Sequence, residues 1–273
     1  MFFKKNIFIN NVVDYPVIFL HGLAGGLKDW EKTINKVSDS AYFDVRYFDR
    51  DKIYHNYFGQ KVKNWYWNAS YYTTKVMDDS IYGNLSIFAD RLKNIINTVC
   101  AISKKDKVIL IAHSMGGLIS RKYMTINREN WNKVHKLLTV ATPNLGFGIS
   151  LGIIQQLRDL KRNSKFIKKL DEKWEVMMKS EKEKKWGVIG GINVKAGHSI
   201  YDDPKSTDSG GIGFVEISSS IPYDEWMESI GDNMEEAFYN TKHFGFRAAT
   251  SANHNEILYS DVTLKGIEWA SRK

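Results

Sequence analysis

The residues best placed for covalent chemistry are the seven from Ile111 to Gly117, IAHSMGG. An unbroken apolar run, Val108 to Ala112, leads into them, and helical periodicity from about Met115 to Ile126 follows. Ser114 therefore falls on a sharp turn between a strand and a helix. A serine there projects from strained backbone and needs small residues two positions away on either side, here Ala112 and Gly116. Its hydroxyl becomes an acyl-group nucleophile when a neighbouring base takes the proton. A phosphate-binding loop would carry more glycines and a lysine followed by Ser or Thr, and these are missing. Candidate bases after Ser114 are His135, His198, His243 and His254, and candidate acids are Asp202, Asp203, Asp208 and Glu216. Carboxylates in such a segment also cap turn amides. The ligand spacing of a calcium loop is absent, so neither a metal nor a cofactor is expected. A second turn, His21 to Gly26 (HGLAGG), follows the apolar run Val17 to Leu20. By itself it reads either as a flexible turn or as a place where backbone N–H groups converge.

The elements that must position these residues alternate. Strands are expected at 17–20, 43–47, 108–112, 137–141, 188–192 and, briefly, near 247–250. Helices are expected at 87–102 with Ser86 as N-cap, at 115–126 and after His254. That alternation predicts an α/β protein with a mostly parallel sheet and right-handed crossovers. Two segments break the rhythm. Tyr54 to Tyr82 is rich in aromatic residues and reads as a long packed loop, with most of its rings serving the core. Leu145 to Trp186 is a charged, helical insertion between two strands.

The chain has 273 residues, 43% of them apolar, which fits a single domain over 1–273 carrying that insertion. One cysteine, Cys100, allows no intramolecular disulfide and reads as a core thiol. Lys and Arg outnumber Asp and Glu by 39 to 31, for a net charge of +8. From Arg158 to Lys185 there are eleven basic and six acidic side chains, a local excess of five. Such an excess is either a solvated helical face or an attraction to anionic surfaces. No nucleic-acid-binding module is present, so nucleic acid is not an expected partner. Asn6, Asn10, Asn11 and Asp14 interrupt the N-terminal apolar run. The expectation is therefore no signal peptide and a cytoplasmic protein, or a secreted one if a leader precedes this sequence.

With HGLAGG, AHSMGG, the TPNLG segment after the next strand and a late histidine, the chain resembles the lipase and esterase branch of the α/β-hydrolase superfamily. It is most similar to bacterial triacylglycerol lipases. Alanine at position 112, where glycine is usual, is a departure that keeps the residue small. The resemblance implies a central sheet with helices on both faces and the chain order serine, acid, histidine. His254, in SANHNEIL before the final helix, is then the base. His198 precedes the acids, His135 precedes a strand at the wrong end, and His243 is the competitor. Asp208, in Asp208-Ser209-Gly210-Gly211-Ile212, resembles the family's acid segment with an insertion, and Asp203 is second. The oxyanion donors implied are the N–H groups of Met115 and Leu23. The implied activity is hydrolysis of lipid-like or acyl esters through an acyl-enzyme. The same triad would serve thioester hydrolysis or acyl transfer, and a non-catalytic scaffold binding membranes or proteins is the alternative from another class. Residues 145–186 lie where the family places a cap or lid, whose lysines would favour anionic headgroups. An ordinary helix pair packed on the core is the competing reading. No oligomeric state follows from the sequence.

Overall fold

A computed structural model describes residues 12–38, 41–147, 155–192, 215–227 and 236–272. Among these, nine strands form one sheet in the order β3-β2-β4-β1-β5-β6-β7-β9-β8. They are β1 (Val17–Leu20), β2 (Phe43–Asp49), β3 (Lys52–His55), β4 (Tyr66–Ser70), β5 (Val108–His113), β6 (Val134–Val140), β7 (Trp186–Gly191), β8 (Ala237–Tyr239) and β9 (Phe246–Thr250). The seven inner strands are parallel, and β3 and β8 close the edges as antiparallel hairpin partners. This is the α/β-hydrolase architecture expected of the sequence.

The unbroken apolar runs are explained by burial on both faces. In β1 and β5, Ile18, Leu20, Leu110 and Ala112 point into one core. Val17, Phe19, Ile109 and Ile111 point into the other. The first core is covered by α3 (Leu85–Ser103) through Phe88, Leu92, Ile95, Ile96 and Val99, and by α4 (Met115–Met124) through Leu118 and Ile119. The second is covered by α1 (Glu31–Val37) and the C-terminal α9 (Asp261–Ser271). The chain moves outward from β1 to β2 and then crosses back to β5. The switch point of the topology thus lies between β1 and β5, where open α/β sheets place their ligands.

Two expectations need correction. The long helix begins earlier than Ser86: Asn84, in extended conformation, caps it by accepting a 2.9 Å hydrogen bond from the N–H of Ile87. Ser86 lies inside the first turn. The aromatic segment is not one loop, since it holds β3, the inner strand β4 and α2 (Val76–Tyr82). In β4 every residue is buried, yet Tyr66, Trp67, Asn68, Ala69 and Ser70 form neither an aliphatic run nor a polar alternation. Asn68 is tolerated because its amide donates to the carbonyl of Leu27.

The insertion contributes α6 (Gln155–Asp159) and α7 (Lys165–Lys179), the latter capped by Ser164. Ile167, Leu170 and Trp174 of α7 are buried, whereas Lys165, Lys168, Lys169, Lys173 and Lys179 are exposed. Trp174 packs edge-on between Trp131 and Trp186, each 5.0 Å away between ring centres. Arg121 of α4 is buried between the faces of Trp174 and Trp186, at 4.9 and 4.8 Å, and binds Asp171 at 2.7 Å. Cations stacked on desolvated rings are strongly held. Replacing Trp174 with Ala should therefore cost about 3–5 kcal/mol of stability. Urea unfolding of the variant against the wild type measures this, and a loss below about 1 kcal/mol would show that α7 is not part of the cooperative core.

Candidate active site

Ser114 sits between β5 and α4 with φ 51° and ψ −126°, a conformation costly for a residue with a side chain. Its surroundings enforce that turn. Its N–H donates to the carbonyl of Val140 at 2.9 Å, and its carbonyl accepts from Gly117 at 3.0 Å. The chain leaving β1 lies directly against it. A methyl group on Gly116 would fall 2.5 Å from the carbonyl oxygen of His21, and one on Gly22 would fall 2.9 Å from Cβ of Ser114. Only glycine permits both approaches. Leu23 follows the glycine that lies against the serine, and Met115 is the first residue of α4, where unpaired N–H groups and the helix dipole favour negative charge.

The β1 exit is fixed from below. His21 is fully buried; its Nδ1–H donates to the carbonyl of Gly22 at 2.8 Å, so its Nε2 accepts from the hydroxyl of Ser70 at 3.0 Å. Tyr71 stacks on the ring at 4.2 Å between centres and donates from its hydroxyl to the carbonyl of His21 at 2.8 Å. The N–H of Ala24 donates to the hydroxyl of Tyr72 at 3.3 Å. Burial drives the His21 imidazole down to about 4, so it is neutral at physiological pH.

Nε2 of His254 lies 3.1 Å from Oγ of Ser114. The loop carrying His254 leaves β9 and enters a short helical turn, Glu256–Tyr259, where the side chain of Asn253 accepts from the N–H of Glu256 at 2.9 Å. Thr33 of α1 donates to the carbonyl of Leu258 at 2.6 Å, and Thr263 of α9 donates to that of Ile257 at 2.6 Å. Both helices of the second face therefore grip the segment just after the histidine.

The structure brings Ser114, His254, Leu23 and Met115 to one edge of the sheet. His135 lies in β6 near its start, with Nε2 3.3 Å from the carbonyl oxygen of Arg272. His243 precedes β9 and contacts Glu225 at 2.9 Å, at the end of the sheet opposite Ser114. Glu216 pairs with Arg162. His198, Asp202, Asp203 and Asp208 lie outside the described residues. Sequence reasoning missed the roles of Ser70, Tyr71 and Tyr72, which support the turn after β1. Their signal was the position of a buried polar and aromatic trio at the end of β4, a strand that did not look like one.

The model of the PGAP1-like alpha/beta domain matches residues 11–220, and the chain belongs to that family. It is 26% identical over 143 residues to GPI inositol-deacylase B of Yarrowia lipolytica, an alignment covering 48% of this chain and 14% of that protein. It is 28% identical over 139 residues to GPI inositol-deacylase of Coccidioides immitis, covering 47% of this chain and 12% of that protein. The aligned part is thus a small share of those much longer relatives. Among solved structures, the product of the gene lin2722 from Listeria innocua superposes with a TM-score of 0.62 at 14% identity, covering 95% of this chain and 94% of that one. That likeness concerns the fold.

Two predictions follow from the geometry. Gly22→Ala should slow labelling of Ser114 by a fluorophosphonate about a hundredfold, because the added methyl displaces the turn. Gly26→Ala, with nothing within 4 Å of the new methyl, should label at the wild-type rate. Equal rates for the two variants would show that the β1 exit does not govern reactivity. The second prediction concerns His21, which takes up a proton near pH 6.5 in an unfolded chain but only near pH 4 when folded. Between those values the unfolded state holds the extra proton, so stability rises with pH and is lost as the pH is lowered through that window, by about 3 kcal/mol from His21. Urea unfolding at several pH values should show this slope, and His21→Gln should make it shallower, leaving the share of buried His113.

Proposed function

We propose that this chain is a serine hydrolase that cleaves carboxylic esters of lipid-like substrates, with an acylated inositol as the substrate class. The observation that carries the reading is the 3.1 Å approach of His254 Nε2 to Ser114 Oγ at a strained strand-to-helix turn. His254 takes the proton of Ser114 as Oγ attacks the ester carbonyl. The negative charge that develops on the carbonyl oxygen is met by the N–H groups of Met115 and Leu23. His254 then protonates the leaving alkoxide, the alcohol departs, and the acyl group remains on Ser114. A water molecule, deprotonated by His254, attacks that ester, and collapse returns the proton to Oγ and frees the carboxylic acid.

Asp208 is the proposed partner of the His254 imidazolium. In support, Ile192 follows the C-terminal end of β7, and Val215 lies just before α8 (Ile217–Ser220). The N–H of Asn144, past the end of β6, donates to the carbonyl of Ser219 at 3.1 Å. The described residues on either side of Asp208 thus lie at the same end of the parallel strands as Ser114. The substrate class draws on the relatives named inositol-deacylases, since removing an acyl group from an inositol hydroxyl is ester hydrolysis. The exposed lysines of α7 are the proposed contact with an anionic membrane surface.

The test uses p-nitrophenyl esters of several chain lengths and an inositol-acylated phosphatidylinositol. Ser114→Ala and His254→Ala should each lose activity by about 10⁴-fold or more. Asp208→Asn should be more damaging than Asp203→Asn. Full turnover by Ser114→Ala would overturn the hydrolase reading. Release of fatty acid from the glycerol but not from the inositol would overturn the substrate class alone.

A further inference from the structure

His113, the last residue of β5, has no part in the reaction just described, yet it is 5% exposed and touches the base directly. Its Nε2 lies 2.9 Å from the backbone carbonyl oxygen of His254. A carbonyl only accepts, so Nε2 carries the hydrogen and donates it. The ring of His113 lies 4.6 Å from that of His254, tilted by 45°. Trp30 of the second core meets the other side edge-on at 6.5 Å. The remaining nitrogen, Nδ1, is buried without a hydrogen-bond partner. It faces the turn after β1, only 3.2 Å from where a methyl group on Gly22 would sit.

These contacts determine the state of the ring. Burial holds its affinity for a proton well below the usual histidine range, and the neighbouring His254 and His21 add to that effect. A proton on Nδ1 would find no acceptor and would point at the closely packed Gly22 chain. His113 is therefore a fixed donor: neutral, in the Nε2–H form, anchored on the nucleophile's own strand.

We infer that His113 is the positioning residue for the base. It ties the backbone of His254 to the strand that ends in Ser114, so that nucleophile and base keep a common frame although 140 residues separate them in sequence. Two further ties on the His254 loop, from Thr33 and Thr263, act on Leu258 and Ile257, several residues downstream. The hydrogen bond from His113 is made at the backbone of the histidine itself, by the strand that leads into the serine. A donor that could become charged would repel the imidazolium formed during catalysis, and the orphaned Nδ1 prevents this. The inference rests on the assignment of His254 as base.

The test compares His113→Phe, which keeps a ring and removes the donor, with His113→Gln, which restores an N–H. Ester turnover, fluorophosphonate labelling and His254→Ala are measured in parallel. For His113→Phe, kcat and the labelling rate should fall roughly tenfold or more with KM nearly unchanged, the equivalent of one lost hydrogen bond aligning the base. His113→Gln should recover most of that loss. Undiminished kcat in His113→Phe, alongside an inactive His254→Ala, would overturn the positioning role and leave the base intact. Undiminished activity in His254→Ala would instead remove the base assignment itself. A third measurement needs no variant. Side-chain ¹⁵N spectra of the wild type should show one buried histidine in the Nε2–H form that stays neutral after Ser114 is phosphonylated. Protonation or a change of tautomer at His113 in that adduct would overturn the inference.

Discussion

The site depends on one close approach: the backbone leaving β1 lies against the turn that presents Ser114. Gly116 admits the carbonyl of His21, and Gly22 leaves room for Ser114 and His113. The contact joins two parallel strands that are neighbours in the sheet but about ninety residues apart in the chain. Its consequence is chemical as well as steric. The N–H groups proposed to stabilise the oxyanion come from the two chains that meet there, so their spacing is set by the packing of β1 on β5. The left-handed backbone of Ser114 is strained by about 1–3 kcal/mol, and the tight fit together with the hydrogen bonds from Ser114 and Gly117 holds it in place.

The same edge concentrates histidines with different tasks. His21 and His113 are buried deeply enough to stay neutral, and each spends its N–H on a backbone carbonyl. One fixes the turn after β1 and the other fixes the loop after β9. His254 is the one of the three in reach of Ser114 Oγ. A neutral imidazole suits such bracing because it satisfies a carbonyl without adding a charge beside His254, the proposed base. The cost is an orphaned acceptor at His113, a small departure from full hydrogen bonding of the kind that concentrates at functional sites.

Much of this was legible from residue order. A long aliphatic run before Ser114, small residues around it and a helix after it can hardly be read another way, and the resemblance carried His254 and the turn after β1 with them. What escaped was whatever lacked a short-range pattern. The strand β4 hides because Tyr66 and Trp67 face opposite cores while Asn68 and Ser70 answer to distant partners. The edge strand β8 is three residues long and only partly buried, so no periodicity can announce it. His113 was visible as the neighbour of Ser114, but its hydrogen bond reaches a carbonyl in the loop after β9, which no local window contains.

The TPNLG segment shows how a motif read by resemblance acquires a physical reason. A methyl group on Gly117 would collide with the side chain of Thr142, so that side chain packs against the first turn of α4. Asn144 accepts from Arg121 through its backbone carbonyl at 3.0 Å and donates from its side chain to the carbonyl of Ser220 at 2.9 Å. Arg121 stands on α4, two turns beyond Met115, and is itself stacked between Trp174 and Trp186. The helix that begins just after Ser114 is thus held at both ends, by Thr142 near its start and by the buried guanidinium near its finish. A backbone donor stabilises a developing charge well only if it need not reorganise when the charge appears. The aromatic clamp around Arg121 lies outside the site, yet it braces α4, and through α4 the N–H of Met115 proposed as an oxyanion donor.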